Sequence, residues 1–227
     1  MAGTKRAENR AAMTADIKRL GREHLSTHGA AGLSLRAIAR DMGVVSSAVY
    51  RYVPSRDDLL TLLLVDAYND LADTVDDAMS AADSPRRRIE IAATTTRTWA
   101  VADPARWALL YGSPVPGYAA PAEQTGGPGT RVVAALLRAM SDAERDGSVR
   151  DDLPEPTGPL REDLTAITAE FGLALSPAAT QAGTVLWATI IGAINLEVFG
   201  QYGPDSISTP ESLFANQIAL TLSAILG

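Results

Sequence analysis

An all-α fold is what this 227-residue chain predicts, and three observations predict it. Apolar residues recur at three- and four-residue spacing through most of the chain, the period of a helix with one buried face. No stretch alternates apolar and polar as a half-buried strand does. Proline and glycine fall between the periodic segments, where helices begin and end. With 46% hydrophobic residues, the chain has enough apolar material for a substantial core, in one domain or two small ones. The expected organisation is a three-helix head over residues 1–58 and a second helical domain over residues 59–227.

Taken in order, residues 1–10 read as a flexible arm, with Lys5, Arg6 and Arg10 available to phosphates or to a minor groove. A helix follows over 11–28, burying Met13, Ile17, Leu20 and His24 or Leu25. His24 and His28 stand four apart, but no carboxylate pair or cysteine completes a ligand set, so no metal is expected. Gly29 and Gly32 break the chain.

Residues 33–60, LSLRAIARDMGVVSSAVYRYVPSRDDLL, organise the rest. Ser34 can cap a helix, its hydroxyl accepting from an otherwise unpaired backbone N–H. Leu35, Ile38, Ala39 and Met42 form that helix's apolar face, and Gly43 ends it, where positive φ commonly stops a helix. A second helix over 46–52 turns Val49 and Val53 inward, and Pro54 ends it. Ser55-Arg56-Asp57-Asp58 reads as a capping box for the next helix. Two short helices joined by a glycine-containing turn are a helix-turn-helix. The second carries Ser46, Ser47, Tyr50, Arg51 and Tyr52 off its apolar side, and such hydroxyls and cations bond phosphates and base edges. A helical hairpin in any all-α protein has the same outline.

The pattern Ser34-x-Arg36-x-Ile38-Ala39-x-x-Met42-Gly43-Val44, then Ala48-Val49-Tyr50-x-Tyr52-Val53-Pro54-Ser55-Arg56-x-x-Leu59, resembles the DNA-binding domain of the tetracycline-repressor (TetR) family. The family has a serine where this chain has Val45, so Ser46 or Ser47 is a candidate replacement cap. Tyr52 and Arg56 stand where the resemblance places backbone-contacting residues. The candidate DNA-binding set is therefore Lys5, Arg6, Ser34, Arg36, Val45, Ser46, Ser47, Tyr50, Arg51, Tyr52 and Arg56.

A long helix over 56–79 follows, with Asp66, Asp70, Asp73 and Asp77 in a row read as a solvated face. It links the head to the second domain. Residues 84–101 and 104–111 read as helices. Arg86, Arg87 and Arg88 at the first of these are set to pair with the acidic row or to meet a phosphate. The Ala-, Pro- and Gly-rich stretch 112–129 reads as a loop. It is not a phosphate loop, because the glycine-lysine pair is missing. Helices are expected over 130–146, over 159–175 with a break near Gly172, from Pro177 to about Tyr202, and over 210–226.

The segments WALLYGSPVPGYAAP (107–121) and WATIIGAINLEVFG (187–200) resemble TetR-family members whose ligand domain carries a tryptophan-histidine-glycine signature. Trp187 and Gly192 are present, and Ile191 replaces the histidine. Small-molecule pockets are mostly apolar and aromatic with a few polar groups. Trp99, Trp107, Tyr111, Tyr118, Phe171, Trp187 and Asn195 are accordingly the candidate effector contacts, although each aromatic also fits ordinary core packing.

The resemblance and the many apolar faces of the last two helices both point to a homodimer. Its candidate interface is Gly183, Gly192, Phe214, Ile218, Leu222 and Ile225. A two-fold dimer offers two recognition helices to a palindromic operator in double-stranded DNA, with half-sites about 34–36 Å apart.

Charge supports the division. The net charge is −7, but residues 1–58 carry +4 and residues 59–227 carry −11, which puts the positive field on the head. There is no cysteine, which excludes disulfides, thiolate metal sites and cysteine nucleophiles. No Gly-x-Ser-x-Gly elbow supports an enzyme, and no cofactor is expected. The N-terminal stretch lacks an apolar signal core and no membrane span is read, so a cytoplasmic protein is expected. The function implied is a ligand-responsive regulator, a repressor released from its operator by a small, mostly apolar molecule. The alternative is a DNA-binding regulator or architectural protein without an effector.

Overall fold

The structure, a computed structural model, describes residues 2–227, with the side chains of residues 2–4 and of Arg6 outside the described part. The helices are α1 (Ala2–His28), α2 (Leu35–Asp41), α3 (Ser46–Tyr50), α4 (Arg56–Met79), α5 (Pro85–Ala102), α6 (Pro104–Tyr111), α7 (Ala122–Arg145), α8 (Pro159–Glu170), α9 (Pro177–Val198) and α10 (Pro210–Ile225). A 3-10 turn, Ala30–Gly32, precedes α2. Among the described residues the fold is all-α, apart from one isolated bridge between Val149 and Leu226.

Most helix starts have local causes visible in the sequence. Ser34, Asp103 and Ser176 each accept a bond from a backbone N–H three residues on, those of Ala37, Arg106 and Ala179, which satisfies a donor the helix leaves open. Ser55 accepts from the Asp58 N–H at 3.1 Å and donates back to its carboxylate at 2.7 Å. Two expectations are corrected. Residues 2–10 do not form a separate arm, because the Ala-, Lys-, Arg- and Glu-rich stretch propagates α1 from Ala2. The tail of the expected 112–129 loop is helical: α7 starts at Ala122, where the Pro121 carbonyl accepts from Gln124 and Thr125, and it runs through Gly126, Gly127, Pro128 and Gly129.

The chain forms two compact units, Met1–Asp70 with Asp103–Gly129, and Leu71–Ala102 with Thr130–Gly227. The divisions fall inside α4, between α5 and α6, and inside α7. In the first unit, Ile17, Leu20 and Leu25 of α1, Leu35, Ile38 and Ala39 of α2, Val49 of α3 and Leu59, Leu60 and Leu63 of α4 form one buried core. Ala105, Leu109, Val115 and Tyr118 pack against it, so the segment around α6 is part of the head's own packing. Gly21 lets α1 approach α4, since a Cβ there would meet the Leu63 side chain at 3.0 Å.

In the second unit α9 is the central helix, packed by α5, α8 and α10. Leu186, Ile190 and Ile194 are fully buried. By length and composition α9 is apolar enough to cross a membrane, a test that the core helix of a globular unit also passes. The break expected near Gly172 is real: α8 ends at Glu170 and Gly172 adopts φ 64°, a conformation that costs other residues.

The acidic row on α4 is largely the solvated face expected, with Asp70, Asp73 and Asp77 exposed and Asp66 half-buried, but it is laced with ion pairs. Asp66 pairs with Lys18 at 2.9 Å and Asp70 with Arg106 at 2.9 Å. Arg131 bridges Asp73 and Asp76 at 2.7 and 2.8 Å, and these hydrogen bonds, that to Asp73 first, push its pKa up. Arg87 and Arg88 do not reach the row: they bond Glu90 and Asp142.

Candidate DNA interface and dimer face

The turn between α2 and α3 is closed by the Gly43 N–H bonding the Arg40 carbonyl and the Val44 N–H bonding that of Ala39, with Gly43 at φ 68°. This is a Schellman pair, and the positive φ is why glycine stands there. His24 of α1 meets Asp41 at the end of α2, Nε2 to Oδ2 2.7 Å. That contact ties the supporting helix to the motif, and the histidine is so engaged with a carboxylate.

Helix α3 is short. Its N-cap is Val45, whose side chain makes no cap bond; neither Ser46 nor Ser47 takes over as cap. Val49 is buried, which points the other face outward, with Val45, Ser47, Tyr50 and Arg51 exposed and Ser46 half-buried. Arg36 of α2 and Lys5 of α1 are also exposed. Ser34 is the α2 cap, half-buried. The expected contact of the Arg6 side chain lies outside the described residues.

Two further candidates have partners inside the head. The Arg10 guanidinium lies 5.6 Å from the centre of the Tyr52 ring, a cation–π contact that fastens α1 to the end of α3. Arg56 donates from Nη2 to the carbonyls of Ala30 and Ala31, at 2.9 and 3.3 Å. It therefore holds the 3-10 turn before α2 and is a positioning residue for the motif. Arg56→Ala is expected to cost the head about 1.5–3 kcal/mol, the range for hydrogen bonds to a charged group, seen as a lower melting temperature before any DNA is added.

The effector candidates are divided between the units. Trp107, Tyr111 and Tyr118 belong to the first. Trp107 is fully buried against Tyr111, ring centres 4.5 Å apart, and Tyr111 meets Tyr68 edge-on. Burial, helped by Tyr68, holds the Tyr111 phenol well above the ordinary tyrosine range, so it stays neutral. The Tyr118 hydroxyl is hydrogen-bonded with that of Thr61 at 2.9 Å. Trp99, Phe171, Trp187 and Asn195 belong to the second unit, where Trp99 is buried and the other three are half-buried.

The expected dimer contacts need correcting. Phe214, Ile218, Leu222 and Ile225 are at most 4% exposed within one chain, so they have no surface left for a partner. Gly183 is also internal: a Cβ there would meet Leu137 at 3.0 Å. Of that set Gly192 alone lines a free surface. It sits in a groove of about 420 Å³ between α9 and α10 with Ala188, Leu196, Gln217, Leu220 and Thr221. Leu220 is 71% exposed, Val185 53% and Phe199 40%. The sequence contained the signal, because α9 and α10 are apolar on more than one face; the stripe with the larger residues satisfies the chain's own core and the other remains outside.

A helix-turn-helix with an outward polar-basic face, carried by an all-helical chain, defines a DNA-binding regulator. Residues 19–63 match the family described as bacterial regulatory proteins, tetR family, and residues 89–221 match a tetracyclin repressor-like C-terminal domain. The HTH-type transcriptional regulators Rv1816 of Mycobacterium tuberculosis and Mb1846 of Mycobacterium bovis are each 51% identical over 226 residues, spanning 97% of this chain and 95% of theirs. The solved regulatory protein SCO4313 superposes with a TM-score of 0.78 at 28% identity, over 96% of this chain and 98% of that one. A TetR regulator of Haloarcula marismortui shares the fold at TM-score 0.70 and 19% identity, over 96% and 100%. The chain belongs to the TetR family of transcriptional regulators, and it is not an enzyme.

Proposed function

We propose that this chain is a cytoplasmic, homodimeric repressor that leaves a palindromic operator when a small, mostly apolar molecule binds. Residues 1–58 bind DNA, and residues 59–227 bind the effector and dimerise. The observation that carries DNA recognition is the outward face of α3, where Ser47, Tyr50 and Arg51 stand exposed over buried Val49. Tyr50→Ala and Arg51→Ala are expected to weaken operator binding several-fold without lowering the melting temperature. Loss of Arg51 should also reduce the slope of log affinity against log salt by about one, as a lost phosphate contact does. Fluorescence anisotropy at several salt concentrations reads both. Unchanged affinity in both variants refutes this placement of the surface.

The choice of an apolar effector rests on the arginines. A phosphate or carboxylate ligand needs a cationic cradle, and Arg97, Arg106 and Arg131 are each paired, with Glu197, Asp70 and Asp73 with Asp76. Of the candidate aromatics, Trp99, Phe171 and Trp187 lie in the second unit, and the tryptophan-glycine pair Trp187 and Gly192 supports the tryptophan-histidine-glycine type of ligand domain. Helix α4 belongs to both units, so a ligand that prefers one setting of this helix also biases the head. A complete switch requires about 5.5 kcal/mol of differential affinity. A screen of hydrophobic compounds, read by tryptophan emission and operator release together, tests this. Release by charged metabolites alone, with emission unchanged, contradicts it.

A further inference from the structure

We propose that Val45 sets part of the operator sequence by packing against the 5-methyl group of a thymine in each half-site. This inference rests on the reading of α3 as the recognition helix. Val45 is 71% exposed, level with Leu220 as the most exposed of the large apolar residues among those described. It stands at the N-cap of α3 with extended backbone, φ −68° and ψ 142°, and its side chain caps nothing.

Valine is a poor choice there on two local counts. A serine, threonine, aspartate or asparagine at an N-cap stabilises a helix relative to an apolar residue, and α3 has only five residues. The isopropyl group also lies in water rather than in the core formed by Val49, Val53 and Ile38. Its neighbours on the outward face, Ser47, Tyr50 and Arg51, all carry polar groups, so Val45 is an apolar point on a hydrogen-bonding surface.

The leading residues of a recognition helix meet base edges in the major groove. Along that groove the apolar feature is the thymine methyl, and apolar side chains read it. An exposed valine at the front of α3 matches that group and no other base edge. Ser46 and Ser47 can bond neighbouring bases or phosphates while Val45 excludes water from the methyl.

The full-length protein is used to select its preferred duplex from a random pool, and anisotropy is then measured on that duplex with each thymine in turn replaced by deoxyuridine. One position in each half-site should lose about fourfold in affinity, the value of one buried methyl-sized group. Val45→Ala should bind more weakly and show no difference between thymine and deoxyuridine at that position. Val45→Ser should enrich a different base there while melting no lower than the parent, since it regains a cap. If a sequence is enriched but no deoxyuridine position matters, or if Val45→Ala keeps the parent's sensitivity, the inference is wrong while α3 still reads DNA. If no sequence is enriched at all, the reading of the head as a sequence-specific DNA binder fails, and this inference with it.

Discussion

Leu220→Arg is expected to yield folded monomers that no longer hold a palindromic operator, whereas Ile218→Arg is expected to unfold the second unit. The two positions are two residues apart on α10 and face opposite ways. Leu220 is 71% exposed and lines the groove with Gly192 and Leu196, while Ile218 is 4% exposed in the core. In the proposed dimer Leu220 of each copy is buried against the other. An arginine at 220 then buries an uncompensated charge in each copy, at a cost of several kcal/mol per ion. A loss of about 4 kcal/mol raises the dimer dissociation constant by roughly a thousandfold. Since half-sites are read together by the two heads of a dimer, specific binding falls with it. At 218 the same charge replaces a well-packed isoleucine inside the chain, and the melting temperature drops instead. Sedimentation and circular dichroism separate the outcomes. A Leu220→Arg protein that remains dimeric at micromolar concentration places the interface elsewhere.

These two residues also show where a sequence stops being informative. The head was legible because each of its features has a local cause: Ser34 caps, Gly43 takes the positive φ, Val49 is the inward residue, and Ser55 with Asp58 closes a capping box. On α9 and α10 periodicity identifies helices but not which apolar stripe belongs to the chain's own core. Phe214, Ile218, Leu222 and Ile225 read as an interface because they are the strongest stripe, and they are buried for the same reason. Glycine and proline misled in the other direction. Gly126, Gly127, Pro128 and Gly129 have poor helix propensity, yet α7 runs through them, and Gly129 fits where a Cβ would come within 3.3 Å of the Tyr68 ring. Partner choice by long side chains was equally hidden. Nothing local announces that Arg56 reaches back 26 residues to the Ala30 carbonyl, or that the acidic row on α4 meets Lys18, Arg106 and Arg131.

The longest such reach carries the second large effect. Arg97 of α5 and Glu197 of α9, 100 residues apart in sequence, form a forked pair, Nε to Oε2 2.7 Å and Nη2 to Oε1 2.5 Å. Their side chains are only 14% and 15% exposed, and the guanidinium lies 6.0 Å from the centre of the Phe214 ring on α10. Three helices of the second unit therefore meet at one ion pair. Removing either partner leaves a charge poorly solvated, so Arg97→Met and Glu197→Leu are each expected to cost about 3 kcal/mol. For a chain of this size that lowers the melting temperature by roughly 6–12 °C. The double variant Arg97→Met with Glu197→Leu removes both charges and fills the space with apolar atoms, which is often neutral or even stabilising. It is expected to melt within a few degrees of the parent, far above either single variant. Thermal melts of the four proteins at equal dimer concentration complete the cycle. If the single losses simply add in the double variant, the two side chains are not coupled, and the pair is not what joins α5 to α9.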